Sequence, residues 1–210
     1  GFFDDVIDSF NKNYKLPYDV FVLLSECPPD IGANAYYDPA TKGIIICYQL
    51  IEQFGDQLYQ YTQSDQELHA FVQDAIYETF LHEVGHAFID IYDLPLIGKE
   101  EDAADQLASI VLLQGGDKGA DALFTVATTW LEASKQASDM SQLPMWDVHS
   151  LDQQRFYNIL CFVYGKDPLQ YAWLVDEGYL PADRAVYCES EYDKISKSWY
   201  ELLSPYLKET

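Results

Sequence analysis

The sequence predicts an α+β fold, mostly helical, with a small antiparallel sheet near the N-terminus. Three observations lead there. Apolar, β-branched runs with turn punctuation are confined to roughly the first fifty residues. Helical periodicity takes over from Tyr48 onward. A composition of 49% hydrophobic and 15% aromatic residues supplies enough apolar surface for a core despite the heavy charge. With no internal repeat, low-complexity tract or linker, the 210 residues are expected to form a single domain, 1–210.

Residues 2–12 have the apolar spacing of a short amphipathic helix. Asp19–Glu26 reads as a strand, and Cys27–Asn34, broken by Pro28, Pro29 and Gly32, as a loop. Tyr36 and Tyr37, the turn 38–43 and the apolar run Ile44–Cys47 form a hairpin, which brings the expected sheet to about three strands. A helix follows over 48–60. The next begins at Ser64, whose hydroxyl and Glu67 three residues on make a capping box, and runs unbroken to about Ile91 because the next breaker is Pro95. Further helices are expected at 100–114, 118–138, 150–164, 167–176 and 183–204.

Charge narrows the function. With 35 acidic against 12 basic side chains, the formal net charge is -23. Such a surface repels phosphate backbones and anionic lipid headgroups and attracts cations and basic partners, so neither a nucleic-acid partner nor membrane insertion is expected. The apolar runs are also far shorter than the roughly 20 residues that cross a bilayer. A dedicated calcium loop of the D-x-D-x-D-G type is absent.

The most informative stretch is His82-Glu83-Val84-Gly85-His86, inside the long helix. At 3.6 residues per turn the two histidines stack on one face, and both imidazoles can reach one cation. Glu83, rotated about 100° from His82, is placed for proton transfer rather than ligation. Zinc suits neutral imidazole and carboxylate donors, and it acidifies bound water next to a carboxylate base. The competing structural reading is two half-buried histidines with a glutamate beside them. His69 lies more than three turns earlier and reads as a solvated residue.

Glu101 and Asp105, four apart in Glu100–Ala108, share a helix face, while Ala104 and Ala108 leave room for close helix packing. A glutamate here would complete three protein ligands, and an aspartate one turn later could hold the outer N–H of a ligating histidine. The helix dipole accounts for Glu100 and Asp102, but less well for Asp105, a turn deeper.

With these two pieces, H-E-x-x-H at 82–86 and E-x-x-x-D at 101–105, the chain resembles the gluzincin group of metallopeptidases. The metzincin pattern is excluded by Ile89 and Tyr92, which stand where its glycine and third histidine would be. More closely, the chain resembles a family of bacterial metallopeptidase-like proteins through residues 34–39, 46–51, 82–94, 100–106, 149–158 and 161–167. That resemblance implies a zincin-like fold with an active-site helix. It also implies zinc on His82, His86 and Glu101, Glu83 as general base, Asp105 behind a ligand, and a peptide or protein substrate. The box His149–Arg155 is similar to a late His and Arg segment of membrane-associated gluzincins, with Ser150 in place of a proline. His149 is therefore a candidate catalytic residue and Arg155 a candidate for oxyanion binding or structural support, against a helix-capping His149 and a salt-bridged Arg155. An edge strand that pairs with extended substrate would be Ile44–Cys47 or Ala35–Tyr36, unless the hairpin belongs to the core. Among the seventeen tyrosines, Tyr164, Tyr171, Tyr187 and Tyr192 read as packing residues.

Four cysteines at 27, 47, 161 and 188 are too far apart for a structural zinc site. Nearest-neighbour pairing, Cys27 with Cys47 and Cys161 with Cys188, is one of three connectivities, and four buried thiols are the alternative. Disulfides would place the protein in a secreted or periplasmic setting. Gly1 in the place of an initiating Met then reads as the trimmed end of a longer chain, with its signal peptide removed. The expectation is a monomeric, zinc-dependent peptidase, with a non-catalytic metal-binding or interaction module as the alternative.

Overall fold

The protein, described by a computed structural model, is defined over residues 2–136, 139, 141 and 143–209. Its α+β, mostly helical class is as the sequence predicts. Three strands, β1 (Phe21–Ser25), β2 (Ala35–Asp38) and β3 (Gly43–Cys47), precede most of the helices. α1 (Asp4–Asn13) comes before them, and α2 (Tyr48–Leu58), α3 (Asp65–Ile91), α4 (Glu100–Gln114), α5 (Asp117–Ser134), α6 (Asp152–Lys166), α7 (Trp173–Asp176) and α8 (Ala182–Leu203) follow.

The sheet is mixed, not antiparallel. β2 and β3 form the expected hairpin, Ala35 opposite Ile46 and Asp38 opposite Gly43, but β1 pairs with β3 in parallel, Phe21 opposite Gly43 and Ser25 opposite Cys47. The strand order is β1-β3-β2. The connection from β1 crosses to the far side of β3 before the hairpin begins, so β3 returns in the direction of β1. The Cys27–Cys47 disulfide joins the C-terminal ends of these two strands, Cα to Cα 5.4 Å, as a parallel pair requires. Central β3 is buried, with Ile44 and Ile46 at 1% and 0% exposure. Both its edges are paired, which rules it out as a substrate strand. The free edges belong to β1 and β2.

α3 is the axis of the molecule: 27 residues, roughly 40 Å at 1.5 Å per residue. Its cap is the expected one, Ser64 Oγ accepting from Glu67 N at 3.2 Å, while the Glu67 carboxylate reaches back to Gln63 N at 2.7 Å. Over its second half it is buried almost all round, between α4, α5, α2 and the sheet. Asp93, in a left-handed conformation at φ 49°, ends it ahead of Pro95.

Two close approaches are set by glycine. A Cβ on Gly85 would lie 2.9 Å from Ala104 Cα, so the α3–α4 contact exists because both residues are small. A Cβ on Gly165 would lie 2.3 Å from the Cys188 carbonyl oxygen, and there α6 and α8 are joined by Cys161–Cys188.

Smaller differences from expectation are local. α5 ends at Ser134 in a turn at 135–136, and residues 137 and 138 of the expected helix lie outside the described residues. The expected helix over 167–176 contracts to α7, because Asp167 and Pro168 open a series of turns. α2 ends in a 3-10 turn over Tyr59–Tyr61.

Candidate metal centre

His82 and His86 face the start of α4 across the Gly85–Ala104 contact. Their Nε2 atoms are 3.1 Å apart. Glu101 Oε2 lies 3.2 Å from His82 Nε2 and 3.3 Å from His86 Nε2. These three residues form a group whose ligand atoms could hold one metal ion. The spacing fits a small tetrahedral ion, since ligands at the usual Zn–N and Zn–O lengths stand about 3.3 Å from one another.

The outer imidazole nitrogens are also committed. His82 Nδ1 is 2.8 Å from Asp105 Oδ1, and His86 Nδ1 is 2.8 Å from Glu100 Oε1. A carboxylate on each Nδ1 fixes it as the protonated nitrogen and leaves both Nε2 lone pairs pointing at Glu101. Glu100, which the helix dipole alone accounts for in the sequence, orients His86. Asp102, accounted for in the same way, accepts a hydrogen bond from Ser150 Oγ at 2.6 Å.

Asp105 is held in turn by Arg155. The guanidinium donates from Nε to Oδ2 at 2.8 Å and from Nη2 to Oδ1 at 2.5 Å, and it stacks on the Trp130 ring at 3.6 Å. Arg155 is 8% exposed. Of its two expected roles, the geometry fits structural support and not oxyanion binding, because two of its nitrogens are spent on Asp105.

His149 reaches the same centre from the loop before α6. Its Nε2 is 3.0 Å from Glu101 Oε2, and its Nδ1 is 2.9 Å from Asp147 Oδ1. Lys99 at the head of α4 holds this loop by donating to the Asp147 and His149 carbonyls at 3.3 and 3.0 Å. The imidazole stays 46% exposed and lines the cleft.

Three imidazole nitrogens thus converge on Glu101 Oε2, yet that oxygen is buried and none of them meets it with hydrogen-bond geometry. The His82, His86 and Glu101 atoms are arranged as ligands, not as donors and acceptor. The local electrostatics also favour a cation. Burial disfavours a charged His82, but the carboxylates of Asp105 and Glu101 outweigh it and raise its pKa to about 10. Burial works against an ionised Glu101 as well, yet the surrounding imidazoles hold its carboxyl far below the usual range.

Glu83 is 5% exposed and faces the cleft one position round the helix. Burial pushes its carboxyl above the ordinary range, while the two histidines and the Tyr37 main chain pull the other way. β2 is tied over α3 by Asp90, which accepts from Tyr37 Oη and from Lys42 Nζ, both at 2.6 Å. Ala35, at the start of β2, lines the cleft, whose volume is 630 Å³.

Three further cleft residues were missed in the sequence. Asp147 orients His149, and Trp130 floors Arg155. Glu78 lies one turn before His82, and its i−4 spacing on the ligand face was a readable signal. Burial, and the like charge of Asp105, push the Glu78 carboxyl upward. His69 is exposed, as expected.

A family model described as "Putative metallopeptidase" (DUF4344) matches residues 1–203. Comparison with curated proteins and with solved structures gave no match.

Proposed function

The chain belongs to the DUF4344 family, and from that premise we propose that it is a zinc-dependent peptidase of the gluzincin type. His82, His86 and Glu101 would hold the zinc, with Asp105 and Glu100 fixing the imidazoles. The observation that carries the reading is the convergence of imidazole nitrogens on a buried carboxylate oxygen that no donor satisfies.

When bound, zinc supplies Lewis acidity, polarising the scissile carbonyl and acidifying a water molecule. The chain's own residues do the rest. Glu83, raised by burial toward the working pH, takes the proton of the attacking water on a carboxylate oxygen and passes it to the leaving amine. In its doubly protonated form, which Glu101 and Asp147 favour, His149, its ring oriented by Asp147, offers Nε2–H to the oxyanion of the tetrahedral intermediate. The free edge of β2 pairs with the extended peptide and aligns it along the cleft.

Two disulfides with no free cysteine among the described residues fit an oxidising compartment, so the proposed setting is secreted or periplasmic. Among the described residues no helix is long and apolar enough to cross a membrane.

The test is Glu83→Gln, read by metal analysis and by cleavage of an unfolded protein substrate. Zinc should stay at one equivalent while turnover falls by about 100-fold or more, the scale expected for losing a general base. Turnover equal to the parent's would overturn the mechanism.

A further inference from the structure

Glu78 is a carboxyl that the proposed chemistry leaves unused. It is 4% exposed, faces the cleft and, among the described residues, makes no hydrogen bond and no ion pair. Two other carboxylates of the centre are matched, Asp105 by Arg155 and His82 and Glu100 by His86, and Glu101 belongs to the group able to hold a metal. Arg155, a cation in the same cleft lining, makes no ion pair with Glu78; it grips Asp105 and lies flat on Trp130. A buried carboxyl without a donor is costly, and the cost disappears when a ligand supplies a donor.

The walls around Glu78 describe that ligand. Leu50, Phe54 and the Trp130 ring line the cleft with apolar surface. Gln57 contributes Oε1, a second buried acceptor without a donor. Trp130 Nε1 is a buried donor without an acceptor in the same lining, but the two acceptors, Glu78 and Gln57, with the apolar walls fit a long aliphatic stem with a cationic head. The acidic surface, at a net charge of -23, would also raise the local concentration of basic peptides.

Resting on the peptidase reading above, we propose that this cleft is a specificity pocket for a lysine or arginine side chain beside the scissile bond, received by Glu78 and Gln57. The pocket selects substrate; it takes no part in bond cleavage.

The test uses the zinc-loaded, disulfide-intact Glu83→Gln chain and three fluorescent peptides that differ at one residue: lysine, norleucine or glutamate. Anisotropy should show the lysine peptide binding about tenfold or more tighter than norleucine, the scale of one charge-assisted hydrogen bond, with glutamate weakest. Adding Glu78→Gln should bring lysine and norleucine within about twofold at a melting temperature no lower than the parent's. Equal binding of lysine and norleucine by the Glu83→Gln chain, or no binding, overturns the pocket, and that comparison stands even if the double variant fails to fold. A lysine preference that survives in the folded double variant removes Glu78 from the proposal. Failure of the peptidase reading looks different: a parent chain that holds no zinc and cleaves no peptide. Cleavage indifferent to lysine sinks the pocket alone.

Discussion

Asp105 shows how much one carboxylate carries here. It fixes the tautomer of His82 through Oδ1 and balances the buried Arg155 through both oxygens. Asp105→Asn keeps the shape but loses the charge, so zinc affinity should fall about 10- to 100-fold, read by competition with a chromogenic chelator. Arg155→Met leaves Asp105 buried without its cation, and denaturant unfolding should show a loss of about 3 kcal/mol or more. Asp74, away from the centre, gives the pH dependence. Burial, reinforced by Asp121, raises its carboxyl to about 6 from the usual 3.8. The folded state therefore binds that proton more tightly than the unfolded chain does. The stabilisation is complete below about pH 4 and is lost as pH rises through about 6. Asp74→Asn should thus gain stability at pH 8, by about 1 kcal/mol once solvent screening of this half-buried group is discounted, and little at pH 4. A gain equal at both pH values would contradict the assignment.

At the scale of elements, the centre depends on how closely α3 and α4 approach. Gly85→Ala places a methyl against Ala104 backbone, which cannot swing aside as a long side chain could. The helices must separate, at a cost of about 1–3 kcal/mol, and Glu101 and Asp105 withdraw from the histidines with them. Thermal melts should therefore fall together with zinc affinity. The sequence made much of this legible, because H-E-x-x-H and E-x-x-x-D are statements about single helix faces, and Ala104 and Ala108 advertised a tight contact. The strand directions were not read correctly. The Cys27–Cys47 bridge, one of three connectivities open in the sequence, carries that information: Cys27 lies just past β1 and Cys47 ends β3, and such ends of neighbouring strands meet only when the strands are parallel. Strand pairing is a long-range choice, and local periodicity is blind to it.

At the scale of the whole molecule, both disulfides act on elements that frame the centre without touching it. Cys161–Cys188 clamps α6, which carries Arg155, to α8. Replacing this pair by alanine should lower stability by about 3 kcal/mol on the chain-entropy scale, measured by denaturant unfolding, while zinc binding persists in the folded fraction. The net charge of -23 divides in the same way. A handful of carboxylates, Glu83, Glu100, Glu101, Asp105 and Glu78, belong to the centre or its cleft, and most of the rest form a solvated acidic surface.

The amino-acid sequence by itself determined the helical class, the long axial helix and the two histidines with their glutamates, and it left the cysteine pairing as one of three connectivities. Each of the first three follows from residue spacing within one element. Only the tertiary structure decided that β1 runs parallel to β3, that Glu100 and Asp147 serve as orienting partners, that Arg155 supports Asp105, and that Glu78 is left without a partner beside an apolar cleft. Those facts depend on how elements and loops lie against one another, bringing together side chains from 2 residues apart, as Asp147 and His149, to 50 apart, as Asp105 and Arg155, in ways that periodicity along the chain cannot encode.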